Sequence, residues 1–256
     1  MKVNWRVIEL EKRHAAMNMA IDHAISKSVA TFQAEPTIRF YKWTKNSISL
    51  GAHQKIDDIN IAECKKHGIE IVRRMTGGRA VFHSNFDFTY SVIAPLQVLG
   101  KNLEDAYART CACIIDALKN LGINSSLQNK NDIMVGVKKI SGNSAKIMDN
   151  EVYLQHGTLV YDIDFYLMPK CLNIPKNLAK EKITSVMDYA NLGETEVYRA
   201  LFIGFTSGKN FQFSGISEQE SKRANELAQT IYKDPSLPFG DYAKSKGACY
   251  VSIGGG

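Results

Sequence analysis

Apolar positions recur every three or four residues from Ala15 to Val29, where Met17, Ala20, Ile21, Ala24, Ile25 and Val29 fall on one side of a helical projection. That spacing predicts an amphipathic helix. The pattern then shortens. Thr37 to Trp43 and Ser47 to Leu50 are brief runs joined by the polar turn Thr44-Lys45-Asn46, and they predict two strands. Gly51-Ala52-His53-Gln54 follows as a polar corner that would face a ligand. Asp57-Asp58 predicts the start of a helix ending at Gly68, with acids first and lysines last, as the helix dipole favours. Ile69 to Val72 predicts a strand, and Phe82 to Ala94 a longer one interrupted at His83-Ser84-Asn85. Leu103 to Leu121 predicts a second long helix, stopped by Gly122.

Further along, Asp132 to Ile140 predicts a hairpin turning near Gly136, and Val152 to Ile163 a strand. Phe165 to Cys171 predicts a short helix closed off before Pro175. Glu196 to Thr206 and Ser217 to Tyr232 predict two more, the second opened by the capping-box pattern Ser217-x-x-Glu220. Strands paired through short turns, with long helices between, predict an α+β fold: a mixed β-sheet flanked by helices. Periodicity is lost from Asp234. The expected organisation is one domain over residues 1–245 and a flexible tail over 246–256. Too few residues follow Tyr232 for a second core, so no C-terminal accessory domain is expected.

Composition narrows the class. With 256 residues, 45% of them hydrophobic and 23% charged, the chain can bury a sizeable core without staples. No apolar run approaches the ~20 residues of a membrane span. The start, Met1-Lys2-Val3-Asn4-Trp5-Arg6, lacks the apolar segment of an export signal. The cysteines (Cys64, Cys111, Cys113, Cys171, Cys249) are odd in number and scattered, with neither a disulfide framework nor paired metal-ligand spacing. A reducing cytoplasm is the expected location. The net charge of +6 favours an anionic ligand and an acidic protein partner. No basic block with interleaved aromatics points to nucleic acid.

The chemistry concentrates in Arg73-Arg74-Met75-Thr76-Gly77-Gly78-Arg79-Ala80-Val81-Phe82-His83. Two arginines, a glycine pair, a third arginine and a histidine stand between apolar strands. Glycines let a ligand approach the main chain, free backbone N–H groups can cradle an anion, and guanidinium groups add bidentate donors. A plain hairpin turn with solvated arginines is the competing reading. Alternation sends Arg73 and Arg74 to opposite sides, and likewise Lys138 and Lys139, so one of each pair can enter a site.

Three further blocks stand in order: Asn131-Asp132-Ile133-Met134-Val135, Lys138-Lys139-Ile140-Ser141-Gly142-Asn143-Ser144-Ala145 and Leu154-Gln155-His156-Gly157-Thr158-Leu159. Together with the arginine-glycine loop, this set resembles the lipoate-protein ligase and octanoyltransferase superfamily, relatives of the biotin protein ligases. The resemblance runs from about Met17 to the helix ending near Tyr232, and is nearest to the ligase catalytic domain. It implies Lys139 as the catalytic lysine, holding the carboxylate of the acid and the bridging oxygens of an acyl-adenylate. It implies Arg74, Gly77, Gly78, Arg79, His83, Asn131, Asp132, His156 and Thr158 as the ligand-binding set, with Arg73 bracing the loop. Asp132 would hold the ribose or a magnesium water. The plain alternatives are a turn residue for Asp132, a core histidine for His156 and an ordinary hairpin lysine for Lys139. Gln54 and His53 are lesser candidates. The strands around Ile71, Val81 and Tyr90 would supply an apolar tunnel for the acyl tail, or these are equally plain core residues.

The expected activity is ATP-dependent lipoate-protein ligation: lipoate or octanoate is activated with ATP and Mg2+ to an acyl-adenylate and passed to a lysine of a lipoyl-domain protein. Such acceptors are a 2-oxoacid dehydrogenase E2 or the glycine cleavage H protein. A separate accessory-domain protein would be a further partner. The alternative is an ATP-independent octanoyl or lipoyl transferase working through a cysteine thioester, for which Cys171 is the available nucleophile. One transferase group carries its cysteine just upstream of the lysine hairpin, where Ser126 to Asp132 has none. A non-catalytic protein that binds the acyl group is a third class. The glycine-arginine-glycine-arginine-x-glycine loop of biotin protein ligases is absent. Arg79 stands where many ligases carry glycine, and would be strained if that position needs positive φ.

Overall fold

Alternation along the strands divides their side chains between two layers. In β2 (Thr37–Trp43), Ile38 and Phe40 join one hydrophobic cluster while Tyr41 and Trp43 join another. The computed structural model describes residues 3–236, so the expected tail over 246–256 and the end of the expected domain lie outside the described residues. Eight strands form a mixed sheet in the order β11-β1-β2-β6-β10-β9-β8-β7. These are β1 (Asn4–Arg13), β2, β6 (Phe88–Pro95), β7 (Ser126–Gln128), β8 (Asp132–Val135), β9 (Lys138–Met148), β10 (Val152–Leu159) and β11 (Asn210–Phe213). Strands β11, β1 and β2 pair in parallel and the remaining neighbours antiparallel. A separate three-stranded sheet runs β4-β3-β5, from β3 (Ser47–Leu50), β4 (Glu70–Arg73) and β5 (Val81–His83).

Helices α1 (Ala15–Ala30) and α8 (Glu218–Thr230) pack together against one face of the large sheet. On the other face lie α4 (Leu103–Asn120) and α7 (Glu194–Thr206), with Phe205 beside Tyr90 and Phe40. A third cluster lies under the small sheet, from Ile48, Leu50, Cys64 and Phe82 to Met168 and Cys171. The α+β class holds: a mixed sheet flanked by helices.

The structure corrects several element boundaries. The helix expected from Asp57 begins later, as α2 (Ile61–Lys66), because the Asn60 side chain accepts from the Glu63 N–H and caps it there. Asp57 and Asp58 sit in a preceding 3₁₀ turn. The run from Phe82 to Ala94 is two strands in two sheets. The Asp87 carboxylate accepts from Ser84 N–H at 2.9 Å and from Tyr161 N–H at 2.9 Å, closing the turn that carries the chain between them. That same contact helps end β10 at Leu159, short of the expected Ile163. The hairpin arm expected to stop at Ile140 continues to Met148, since β10 offers it a full antiparallel partner. Strands β1, β7 and β11 and the short helices Leu96–Leu99 and Lys176–Lys182 (here α3 and α6, with α5 at Leu167–Cys171 between them) were not expected.

One buried ion pair fastens α8 to β1. Arg6 donates from Nη1 and Nη2 to the two Glu220 carboxylate oxygens, each at 2.8 Å, and from Nε to Thr37. Glu220 also accepts from Ser217 N–H, completing the capping box foreseen for α8. Burial would raise the Glu220 carboxyl, but Arg6 outweighs it and the group sits below its ordinary value. Removing one partner of a buried pair leaves the other charge uncompensated. Glu220→Ala is therefore expected to lower unfolding free energy by about 3 kcal/mol or more in urea titration. A loss below about 0.5 kcal/mol would show that the pair does not hold α8.

Candidate functional site

The small sheet lies across the large one where β2, β6 and β10 run side by side, and a cavity of about 330 Å³ opens between them. Its floor is Trp43, Thr89, His156 and Thr158; its roof is Ser49, Arg74, Val81 and His83. Strand β9 closes one side with Lys139, Gly142 and Asn143. Nine of the ten expected site residues line it: Arg74, Gly78, Arg79, His83, Asn131, Asp132, Lys139, His156 and Thr158. Gly77 does not, although its carbonyl accepts from Ser144 Oγ at 2.9 Å and so ties the loop to β9. His53 and Gln54 stand outside the cavity. Of Ile71, Val81 and Tyr90, only Val81 lines it; Tyr90 belongs to the core on the far face and Ile71 to the cluster under the small sheet.

The arginines shape the loop. Arg74 donates to the carbonyls of Ser49, Gly77 and Arg79 at 2.8, 2.6 and 2.9 Å, folding the glycine turn around its own guanidinium. Burial pushes its pKa down to about 10. Arg73 points the other way, as alternation requires, and binds the carbonyls of Gly51, Gln54 and Pro235. Gly51 has no alternative here: a Cβ would meet the Gly78 carbonyl oxygen at 1.8 Å. Gly78 itself has φ +91°, which L side chains rarely adopt, whereas Arg79 lies outside the left-handed region. The position does not need positive φ, so arginine is unstrained there, and its exposed guanidinium stands at the cavity rim.

Lys139 is half-exposed at the end of the hairpin, with Nζ 2.6 Å from Asp132 Oδ1. Gly142 makes room for it: a Cβ there would lie 2.6 Å from Lys139 Cε. The Lys139 carbonyl accepts from Thr184 N–H at 3.0 Å, fixing the strand from its far side. Lys138 lines no part of the cavity. Asn131 and Asn143 exchange amide-to-carbonyl bonds at 3.0 and 3.1 Å, clamping the turn before Asp132 to β9. Asp132, the expected metal position, has Lys139 as its partner. Among the described residues, no group of three or more His, Cys, Asp or Glu side chains gathers as a metal site.

The two histidines have different surroundings. His83 is stacked on Trp43 with ring centroids 4.2 Å apart, and bonds Ser49 Oγ at 2.8 Å and Thr158 Oγ1 at 3.1 Å. Burial, reinforced by Arg74 and His156, pushes its pKa well below the ordinary 6.5, so it is neutral. His156 bonds Thr76 Oγ1 at 2.6 Å, and its Nδ1 lies 3.5 Å from Asp22 Oδ2. Burial would raise the Asp22 carboxyl, but Arg39, His156 and Ser91 outweigh it and hold it below its ordinary value. Asp22 and Asn18 were not foreseen. Polar residues four apart on the buried side of α1 were the signal, since only a polar partner such as Arg39 stabilises them there.

Cys171 does not reach the site. It is fully buried in the cluster beneath the small sheet with its thiol against Cys64, and burial pushes its pKa up. Cys111 is in the core, Cys113 faces Lys209 on the opposite side of the large sheet, and Cys249 lies outside the described residues. Among the described residues no thiol lines the cavity. Cys171, the nucleophile expected for the transferase alternative, is buried against Cys64 and lines neither the cavity nor its rim.

Comparisons with known proteins agree on the family. The model of the lipoyl protein ligase A/B catalytic domain matches residues 14–205. The octanoyltransferase LipM of Carboxydothermus hydrogenoformans is 29% identical over 259 residues, covering 90% of this chain and 95% of that protein. Relatives from several other bacteria carry the same name. A lipoate-protein ligase A solved with ATP superposes with TM-score 0.82 at 26% identity, covering 94% of this chain and 99% of that one. The Thermoplasma acidophilum bi-partite lipoate protein ligase, described with its E2 lipoyl domain, shares the fold with TM-score 0.82 at 23% identity, covering 99% and 100%. The curated names overturn the expected ATP-dependent ligase as the primary activity: they are octanoyltransferases.

The site makes its own stability prediction. The folded His83 value lies below that of the unfolded chain, so the unfolded state binds the proton first and stability is lost as pH falls below about 6.5. Asp87 acts oppositely: burial pushes its carboxyl up to about 7, so the folded state binds first and gains stability as pH falls toward 4. Asp87 is common to the native chain and His83→Gln, so their difference isolates His83. That difference is expected to shift against the native chain by about 1.4 kcal/mol per pH unit between pH 6 and 5. A difference constant from pH 7 to 5 would contradict it.

Proposed function

We propose that this chain, which belongs to the lipoyl protein ligase A/B catalytic-domain family, transfers an octanoyl or related medium-chain acyl group from a thioester donor to a lysine of a lipoyl-domain protein without ATP. That it is an enzyme of the lipoate ligase and octanoyltransferase family follows from the match. The relatives named octanoyltransferase support transfer over ligation. The single structural observation that carries the reading is Lys139, a half-exposed cation held at the mouth of a cavity whose walls are mostly apolar.

A thioester carbonyl is already activated, so the enzyme has three tasks: to hold the chain, to neutralise charge as it develops and to admit the acceptor amine. Trp43, Val81 and Met19 suit the alkyl chain. Lys139 suits the carbonyl oxygen as it gains negative charge. Asp132 and Gly142 keep the ammonium in that position. In this reading the acceptor lysine's neutral amine attacks the donor carbonyl directly. A C–N bond forms, the C–S bond breaks, and the amine's surplus proton ends on the departing thiolate. The products are an acyl amide and a free thiol.

Acceptors of the E2 or H-protein type are part of this proposal. So is the sufficiency of the single catalytic unit, against which a separate accessory-domain protein can be added and the rate compared.

The test is intact-mass measurement of a lipoyl-domain acceptor after incubation with octanoyl carrier protein and no ATP, beside a reaction with free octanoate, magnesium and ATP. Acylation from the thioester alone is expected. Lys139→Ala should lower the rate by about 10²-fold or more with the fold intact, as loss of an oxyanion donor does, while Cys171→Ser should leave it within about twofold. Modification only from free acid with ATP would contradict transfer. An acyl-enzyme trapped on a cysteine would contradict direct attack.

A further inference from the structure

A second cavity of about 150 Å³ meets the first at Lys139. The two share Ala80, Val81, Lys139, Gly142 and Thr158, so a group bound at the lysine looks into both. The second runs under the small sheet, between Val160 and Ile163 on one side and Met168, Leu172 and Ile183 on the other. Its wall is built on the lysine's own backbone, because Ile183 bridges Lys139 in parallel and Thr184 donates to the Lys139 carbonyl.

Its charges are lopsided. Lys139, at the mouth, is the one cation in its lining, whereas Asp162 and Asp164 supply carboxylates and Asp87 a carboxyl that burial pushes up to about 7. All three are engaged with main-chain donors: Asp87 with Ser84 and Tyr161, Asp162 with Ile163, Asp164 with Tyr166 and Leu167. Asp162 and Asp164 keep the field of the slot negative. Such a slot repels phosphate groups and suits a slim, uncharged chain that is largely apolar.

The step at Lys139 needs two places. If the alkyl chain lies in the larger cavity, whatever is attached to the other side of the carbonyl must leave through an adjoining space. The smaller cavity is that space. We propose that the slot lined by Ile163, Met168, Leu172 and Ile183 receives the thiol-proximal part of a pantetheine arm, the neutral amide-bearing chain on which acyl groups are carried as thioesters. The proposal rests on the transfer reading above. It adds that the donor is recognised by its arm as well as by its acyl chain.

The test uses binding as well as turnover, on the full chain. The probe is the ketone analogue of octanoyl-pantetheine, in which a methylene replaces the sulfur and no transfer can occur. It is compared by calorimetry with undecan-4-one, its counterpart that keeps the octanoyl and the methylene and ends in an ethyl group. Native chain is expected to bind the full analogue about tenfold or more tighter. Leu172→Trp, which fills the slot, should remove that difference and leave binding of the truncated ketone unchanged. Equal affinity of the two probes for the native chain would overturn the proposal, and that comparison stands even if the variant fails to fold. Displacement of the full analogue by adenosine monophosphate but not by pantetheine would also overturn it, by assigning the slot to a nucleotide. Turnover separates the two ideas. Tight binding of the full analogue with no acyl transfer from octanoyl-pantetheine keeps the slot and defeats the transfer reading; transfer at the same KM from octanoyl-pantetheine and S-ethyl thiooctanoate does the reverse.

Discussion

The proposed transfer requires a cation held at a seam between two sheets, close enough to apolar walls to act strongly and open enough to meet a substrate. Much of the architecture around the cleft answers to that constraint. Lys139 comes from the hairpin arm β9, which is braced by β10 on one side and by the Ile183–Thr184 segment on the other. Gly142 leaves the volume its side chain occupies, and Asp132 sets where its ammonium sits. With the backbone fixed from both flanks, little entropy remains to be lost when a ligand arrives.

The glycine loop opposite solves a related problem. A turn that approaches a ligand closely cannot rely on side chains for its shape, so it folds around a guanidinium. Arg74 takes up the inward carbonyls of the turn and of β3, and Arg73 fixes its outer edge to Gly51, Gln54 and Pro235. These arginines spend their donors on the protein. The exposed Arg79 stands at the mouth beside Lys139. Behind the floor, Asp22, Arg39, Tyr41, Ser91 and His156 form a buried polar network in which each charge has a partner.

The blocks that carry the site could be read from the chain because they are local. A glycine pair between arginines, a lysine two residues before a buried serine and a histidine-glycine-threonine strand each sit within one element. Nine of ten named positions meet in one cavity for that reason. What escaped the reading is non-local. Strand β11 pairs with β1 across some two hundred residues, and four exposed residues give no periodic sign of it. Trp43 and Thr89 read as ordinary strand residues until β2 and β6 are laid side by side beneath the small sheet. Asp57 read as a helix start because its charge suits one, yet the cap that counts is Asn60, whose side chain has the N–H to accept from. Cys171 was nominated from its place in the chain, and its burial against Cys64 is visible only in three dimensions.

The account turns on where the reacting carbonyl lies, and a crystal structure with the ketone analogue of octanoyl-pantetheine measures that directly. The carbonyl oxygen is expected within hydrogen-bond distance of Lys139 Nζ, with the alkyl chain against Trp43 and the arm toward Ile183. A carbonyl held away from Lys139, or an alkyl chain lodged in the smaller cavity, would contradict it.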